Sequence, residues 1–237
     1  MLIKEQCILG IESSGFYISV GILEKGIAKG GIYLNDGSPG SEVLLNKIDQ
    51  LLTMLKISKQ DLEGICVTLG PGSFTSLRVS LSTAEALGLG LNIPVYGVNS
   101  LIIMAATVPF YPFTVKVIQN AYKGEFYIGT YDTRSGKPAA IGELTLIRPD
   151  VFYENLEEND LILGNGIDRL LSENFDLSKK KVKWNQDFHR QNSGIAVIEH
   201  FMSEEAKSPS DIPLEPIYIR LSEAEINYNK RFGISEC

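Results

Sequence analysis

Histidine is nearly missing from this chain: His189 and His200 are the only two in 237 residues. They stand eleven positions apart, which does not set both on one helical face at ligand spacing, so a helical histidine pair holding a metal is excluded. Cysteine is almost as scarce. Of three, Cys7 and Cys66 lie inside strand-like apolar runs and Cys237 is the last residue. Neither metal-type spacing nor a disulfide framework results, a usage that suits a reducing cytosol. No apolar run is long enough to cross a bilayer; the longest, Leu87 to Met104, is broken by Asn92, Pro94, Asn99 and glycines. The N-terminus lacks a basic region, an apolar stretch of signal length and a cleavage site, so the expectation is a cytoplasmic protein without a membrane partner. Positive charge is also short: Lys and Arg number 22 against 29 acids, a net charge of −7, so the surface as a whole repels nucleic acid. The one basic run, Lys179-Lys180-Lys181 with Lys183 and then His189-Arg190, reads first as a solvated loop. There is no Walker-type Lys-Ser/Thr and no Gly-x-Ser-x-Gly elbow.

What is present centres on Gly70-Pro71-Gly72-Ser73-Phe74-Thr75-Ser76-Leu77-Arg78. An apolar strand-like run, Ile65 to Leu69, precedes it, and a stretch without proline, Val79 to Leu91, follows. The run is therefore a strand-to-helix turn, with Gly70 and Gly72 supplying unusual backbone angles and Pro71 stiffening the entry. Ser73 or Thr75 can cap the helix, and free N–H groups at such a turn can hold an anion. Arg78 falls near the first helical turn, where a cation opposes the helix dipole. It calls for an acidic neighbour: a carboxylate of this chain such as Glu12, a phosphate, or a partner.

The apolar patterning predicts strands over Cys7–Ile11, Tyr17–Leu23 and Ala28–Leu34, then an amphipathic helix over Ser41–Lys56. Leu44, Ile48, Leu51 and Leu55 form its stripe, widened by Leu45 and Leu52. A strand (Ile65–Leu69), the second helix, a strand (Pro94–Val98) and a third helix (Ser100–Thr107) follow. Pro109 and Pro112 mark a boundary. Beyond it come strands over Val115–Asn120, Glu125–Tyr131 and Ile141–Ile147, a helix (Pro149–Asn155), a strand (Asp160–Leu163), a helix (Ile167–Asn174), a helical run (Ile195–Glu205) and a Pro-rich extended stretch from Ser208 to Pro216. The expected class is α/β. The order βββαβαβα resembles the ribonuclease-H-like half of the actin, hexokinase and Hsp70 ATPase fold. It occurs here twice, with a degenerate second copy: an N-terminal domain over 1–108 and a C-terminal domain with its tail over 109–237.

The second helix carries Ser76, Ser80, Ala84 and Gly88 at four-residue spacing, with Thr83 beside them and Leu77, Leu81 and Leu87 able to pack on the sheet. Small residues at that period let another helix approach closely. Either both faces are buried inside this chain, or the surplus surface on the two helices takes a partner.

Several motifs in order resemble the TsaB (YeaZ) family. Ile8-Leu9-Gly10-Ile11-Glu12-Ser13-Ser14 is similar to its opening strand and turn, usually ending Asp-Thr-Ser. Gly70 to Arg78 matches its most specific signature, with Ser76 where Gly is usual. Ile93 to Leu101, Asn120-Ala121-Tyr122-Lys123-Gly124-Glu125, Gly164-Asn165-Gly166 and Pro216 to Arg220 fit later positions. The resemblance implies a non-catalytic scaffold that binds and stabilises TsaD in a complex with TsaE. That complex transfers threonylcarbamoyl from its adenylate to N6 of the anticodon-adjacent adenosine of tRNAs reading ANN codons. ATP and a metal would belong to partner subunits, none to this chain, and tRNA would meet it only through the complex. The implied interface is Leu44, Leu45, Ile48, Leu52, Ser76, Ser80, Thr83, Ala84 and Leu87, through which a homodimer could also form. Two departures bear on chemistry: Glu12 and Asn120 stand where Asp is usual. The alternatives are a nucleotide-binding enzyme using Glu12, Ser13, Ser14, Gly70, Gly72, Ser73, Thr75 and Arg78, or a peptidase built on Ser73, which would need a histidine and an acid placed by folding.

Overall fold

The computed structural model describes residues 6–15, 17–37, 40–121, 123–185, 193–203 and 214–219. Strands β1 (Cys7–Glu12), β2 (Ile18–Glu24) and β3 (Ile27–Leu34) form a meander, followed by α1 (Gly40–Leu55), β4 (Gly64–Gly70), α2 (Phe74–Leu91), β5 (Val95–Asn99) and α3 (Ser100–Ala106). The first sheet runs β3-β2-β1-β4-β5, antiparallel across the meander and parallel from β1 to β5. β1 and β4 are buried along their whole length, as central parallel strands covered on both faces must be. On one face, Leu44, Ile48, Leu51 and Leu52 of α1 and Leu81 and Ala84 of α2 join Leu9, Ile11, Ile65 and Val67 in one core. On the other, Ile8, Cys66 and Val98 meet Ile103 of α3 and Val197, Ile198 and Phe201 of α6 (Gly194–Ser203).

The second sheet repeats the plan with β6 (Thr114–Asn120), β7 (Phe126–Asp132), β8 (Ala139–Ala140), β9 (Thr145–Ile147), α4 (Pro149–Glu154), β10 (Leu161–Leu163), α5 (Gly166–Ser172) and β11 (Lys183–Asn185). Its order is β11-β10-β6-β7-β8, with β9 also on β7. β6 and β7 are antiparallel, and β10 and β11 are parallel to β6. With β8 and β9 together as the third strand, this is the first sheet's order again. The fold is thus α/β with duplicated ribonuclease-H-like halves. Of the expected strand over Ile141–Ile147 only the end, β9, forms; Gly142, at φ +81°, separates it from β8, which lies before the expected start. β11, inside the basic stretch, has Trp184 as its one apolar residue and went unpredicted.

Three features tie the halves together. Helix α3 is shared: Ile103 faces the first sheet, whereas Leu101, Met104 and Ala105 pack with Val115, Val117 and Tyr131 of the second. Helix α6, late in the sequence, lies on the first sheet. There Gly10 and Gly194 make the crossing possible, since a Cβ on Gly10 would stand 1.8 Å from the Gly194 carbonyl oxygen. The tail returns too, with Ile217 N donating to Leu69 O at 2.8 Å. The stretch 208–213 of the predicted extended tail lies outside the described residues.

Candidate functional site

β1 ends on a carboxylate with no route to solvent. Glu12 is fully buried. Its Oε1 accepts from the backbone N of Ser14 at 2.9 Å and from the Ser14 hydroxyl. Its Oε2 has no well-aligned donor. Burial pushes the Glu12 acid up to about 7, against a weaker opposite pull from the hydroxyls of Ser14, Thr68 and Tyr17. Ser13 N donates to Thr68 Oγ1 at 3.4 Å, and Ser13 Oγ donates to Ser76 O at 3.2 Å, tying the turn to both β4 and α2.

The Gly70–Arg78 turn is pressed onto the same residues. Gly70 takes φ +101°, a conformation L side chains rarely adopt. A Cβ on Gly72 would sit 2.2 Å from Ser14 O, so only glycine fits there. Ser73 occupies the N-cap position of α2, yet its side chain caps nothing: its hydroxyl pairs with the Ser76 hydroxyl at 3.0 Å. Instead its backbone N donates to Ser14 O at 2.8 Å. Ser100 Oγ holds Pro71 O at 2.7 Å. Thr75 is exposed and is not the cap. Two N–H groups that an incoming anion would need are therefore spent inside the chain: Ser14 N on Glu12 and Ser73 N on Ser14.

The second half reaches in at this point. Gln119 of β6 donates from Nε2 to Ser14 O at 2.8 Å, so that one carbonyl receives two donors from two directions. Next to it, Asn120 N donates to Asn165 Oδ1 at 2.8 Å. Gln119 was missed in the sequence. The available signal was a polar residue ending a buried strand, which a ligand, a partner or an internal joint explains equally well.

The expected ion pair between Arg78 and Glu12 does not form. Among the described residues no salt bridge reaches Arg78. Its Nε donates to Tyr218 Oη at 2.9 Å and its guanidinium sits 4.0 Å over the Phe74 ring, which in turn stacks on Tyr218. An aromatic pair supplies the electron density a carboxylate was expected to give. The returning tail is thereby fastened to the start of α2.

The predicted interface residues divide. Leu44, Ile48, Leu52, Ser80 and Ala84 are buried within this chain, and Ser80 donates back to Leu77 O at 3.0 Å. They are a correction: the small-residue stripe of α2 lets this chain's own layers approach, as at Gly88, where a Cβ would meet Val95 at 2.5 Å. Leu45 is 50% exposed, and Ser76, Thr83 and Leu87 are partly so. Leu89 at 87% and Ala86, which the sequence did not single out, share that outer side of α2, and Met54 at 67% is exposed on α1.

Of the other candidates, Lys179, Lys180 and Lys181 approach Asp176, Glu154 and Glu158. The run is self-compensated rather than a free cationic patch. His200 is buried on α6, on the opposite face of the first sheet from Ser73, so no histidine among the described residues stands beside that serine. His189 lies outside the described residues. A cavity of about 360 Å³ between α3, the 136–138 turn and α6 shares no residue with these turns.

Comparison with known proteins agrees with this architecture. Residues 40–224 match the family model described as TsaD: tRNA N6-adenosine threonylcarbamoyltransferase. A tRNA threonylcarbamoyladenosine biosynthesis protein TsaB of Bacillus subtilis is 27% identical over 93% of this chain and 97% of its own length. A tRNA N6-adenosine threonylcarbamoyltransferase of Tropheryma whipplei is 48% identical, but over 26% of this chain and 15% of its own. Among solved structures, a Pseudomonas aeruginosa protein described as similar to peptidase YEAZ superposes with a TM-score of 0.71 at 20% identity, covering 91% of this chain and all of that one. Motif order, sheet order, family model and full-length relatives converge, and the chain belongs to the TsaB (YeaZ) family within the wider family represented by the TsaD model.

Proposed function

We propose that this chain is a non-catalytic scaffold of tRNA threonylcarbamoyladenosine biosynthesis, docking a TsaD-type transferase through the outer sides of α1 and α2. The observation that carries the reading is a contrast between two places in the fold. Where a nucleotide would sit, Glu12, Ser14, Ser73 and Gln119 are bonded to one another. On the α1–α2 layer, by contrast, Leu45 and Leu89 stand in solvent, and Thr83 and Leu87 are partly exposed. Apolar side chains held in water on two neighbouring helices are stabilised by a partner that covers them. In this reading TsaE joins the assembly, ATP and the metal are held by partner subunits, and tRNA meets the complex rather than this chain. The site of action is the cytoplasm, and two copies pair through the same helices when TsaD is absent. The relatives' names support the pathway, and the self-occupied turn favours scaffold over nucleotide enzyme or peptidase. The test is capture of the full chain from native lysate with mass determination of what comes with it, beside Leu89→Glu and Leu45→Glu. A TsaD-type transferase recovered with the parent chain and lost with both variants is expected. Its absence from the parent capture would sink the reading.

A further inference from the structure

One cation on the proposed docking side of α2 is held in place without an acid. Arg78 is exposed, and among the described residues no ion pair reaches it and no hydrogen bond uses its Nη1 or Nη2. The other charged residue of α2 is Glu85, two turns on, about 10 Å along the helix. The guanidinium is nevertheless fixed. Nε donates to Tyr218 Oη at 2.9 Å, and Cζ lies 4.0 Å from the centroid of the Phe74 ring and 5.8 Å from that of Tyr218. The two rings are 5.3 Å apart. Tyr218 is anchored in turn, because Ile217 packs against the first core and donates its N to Leu69 O at 2.8 Å. A long flexible side chain normally loses rotamer freedom when it pairs; here the rings have already ordered it. The two terminal nitrogens are left open, and they are the part of a guanidinium that takes a carboxylate through two parallel bonds.

Arg78 shares its stripe with Leu89. Eleven residues at about 3.6 per turn set the two within about 20° of each other around the helix, with exposed Ser82 between them. Resting on the reading that a TsaD-type transferase docks on this side of α2, we propose that Arg78 is a preset fork for a carboxylate of that partner, held in position by Phe74 and Tyr218. Leu89 supplies apolar contact at one end of the stripe, and Arg78 fixes the register at the other, since a charge-assisted pair is directional where apolar contact is not. An acid of a protein suits this place better than the phosphates of RNA. A nucleic-acid backbone is bound by several cations along its path, whereas α2 has this single cation and Glu85, on a chain of net charge −7.

Titration calorimetry of the full chain against the transferase, with Arg78→Met, Arg78→Lys and Leu89→Glu beside the parent, tests this. Arg78→Met keeps a long stem on Phe74 and should leave Tm unchanged, while Kd rises about 30-fold. Arg78→Lys keeps the charge without the fork and should regain no more than about threefold of that loss; full recovery would show a point charge and overturn the fork. Replacing the Asp and Glu residues of the transferase by Ala one at a time locates the acid, and does so with the parent chain, whatever the stability of the Arg78 variants. One such replacement should weaken binding of the parent about 30-fold and of Arg78→Met no further. If none does, the proposal is overturned. If Leu89→Glu loses binding but Arg78→Met binds like the parent, docking stands and the fork falls. If Leu89→Glu also binds like the parent, the docking reading fails and the fork with it. Fluorescence anisotropy with labelled tRNA covers the other anion: tRNA held by this chain alone and released by Arg78→Met would overturn the carboxylate in favour of phosphate.

Discussion

Two positions on α2, five residues apart, separate packing from the proposed docking. Ala84 has no exposed surface and lies in the core with Ile48, Leu52 and Leu81, whereas Leu89 is 87% exposed. Ala84→Glu would bury a carboxylate among apolar side chains with no partner, a change of about 3–5 kcal/mol or more. A domain of this size has about 5–15 kcal/mol in total, and each kcal/mol moves Tm by about 2–4 °C. A fall of about 10 °C is therefore expected, with any loss of TsaD pairing secondary to it. Leu89→Glu moves a side chain already in water, so stability should stay within about 0.5 kcal/mol. Its effect should appear in association instead, where losing an apolar anchor and placing a charge in the contact is worth about 2 kcal/mol, or roughly 30-fold in Kd. Differential scanning calorimetry gives the first quantity and titration calorimetry against the transferase gives the second. If Ala84→Glu kept the parent Tm but lost pairing, the burial argument would be wrong. If Leu89→Glu kept both, the outer side of α2 would not be the docking side.

Glu12→Gln should leave the acceptor at the Oε1 position and put an amide nitrogen where no aligned donor sits. Because the folded acid is raised from 4.5 to about 7, the native state holds a proton the unfolded chain has lost. The Glu12 contribution is then complete below pH 4.5 and lost by pH 7, about 3 kcal/mol in all. The parent-minus-variant difference in urea unfolding should follow that window, and a flat difference would contradict it. Gly72→Ala must displace the Ser14 carbonyl, so a loss of at least about 2 kcal/mol in the same assay is expected. Tyr218→Phe removes only the acceptor for Arg78 at an exposed site, a change under about 1 kcal/mol. Tyr218→Ala should in addition speed exchange of the Ile217 amide; equal exchange in both variants would show that the ring does not hold the tail.

Local pattern carried most of the fold. The solid apolar runs of β1 and β4, the alternation of β2 and the stripe of α1 each determine an element from neighbours within a few positions, and the sheet order follows from their sequence. Contacts made across long separations were not legible in the same way. Arg78 and Tyr218 are 140 positions apart, and nothing near Arg78 distinguishes an aromatic partner from a carboxylate. Ser80 and Ala84 show a further limit. Small residues at helical spacing state that something comes close, but the same spacing serves a partner helix and this chain's own layers. Gln119 was hidden for a related reason: a polar side chain in a buried strand signals a bond without naming the other end.

The two halves solve one local problem alike, and this explains how the first half closed on itself. In each, the chain leaving the first strand is tied to the end of the fourth by a side-chain oxygen accepting a backbone N–H: Ser13 N to Thr68 Oγ1 in one, Asn120 N to Asn165 Oδ1 in the other. In each, a glycine with φ near +100° stands within two residues of that tie, Gly70 at +101° after Thr68 and Gly164 at +99° before Asn165. Backbone of this shape can present successive N–H groups to an acceptor. In this chain the long Glu12 side chain turns back onto Ser14, and Gln119 and Ser73 converge on the Ser14 carbonyl, so side chains fill the turn that the backbone shapes. Asn120 carries no charge to repel Glu12 across the joint. Arg78, at the start of α2, faces away toward Phe74 and Tyr218 rather than inward. The geometry that on such a fold can hold a ligand between two lobes acts here as the joint that sets α2, and with it the proposed docking side, against the second half.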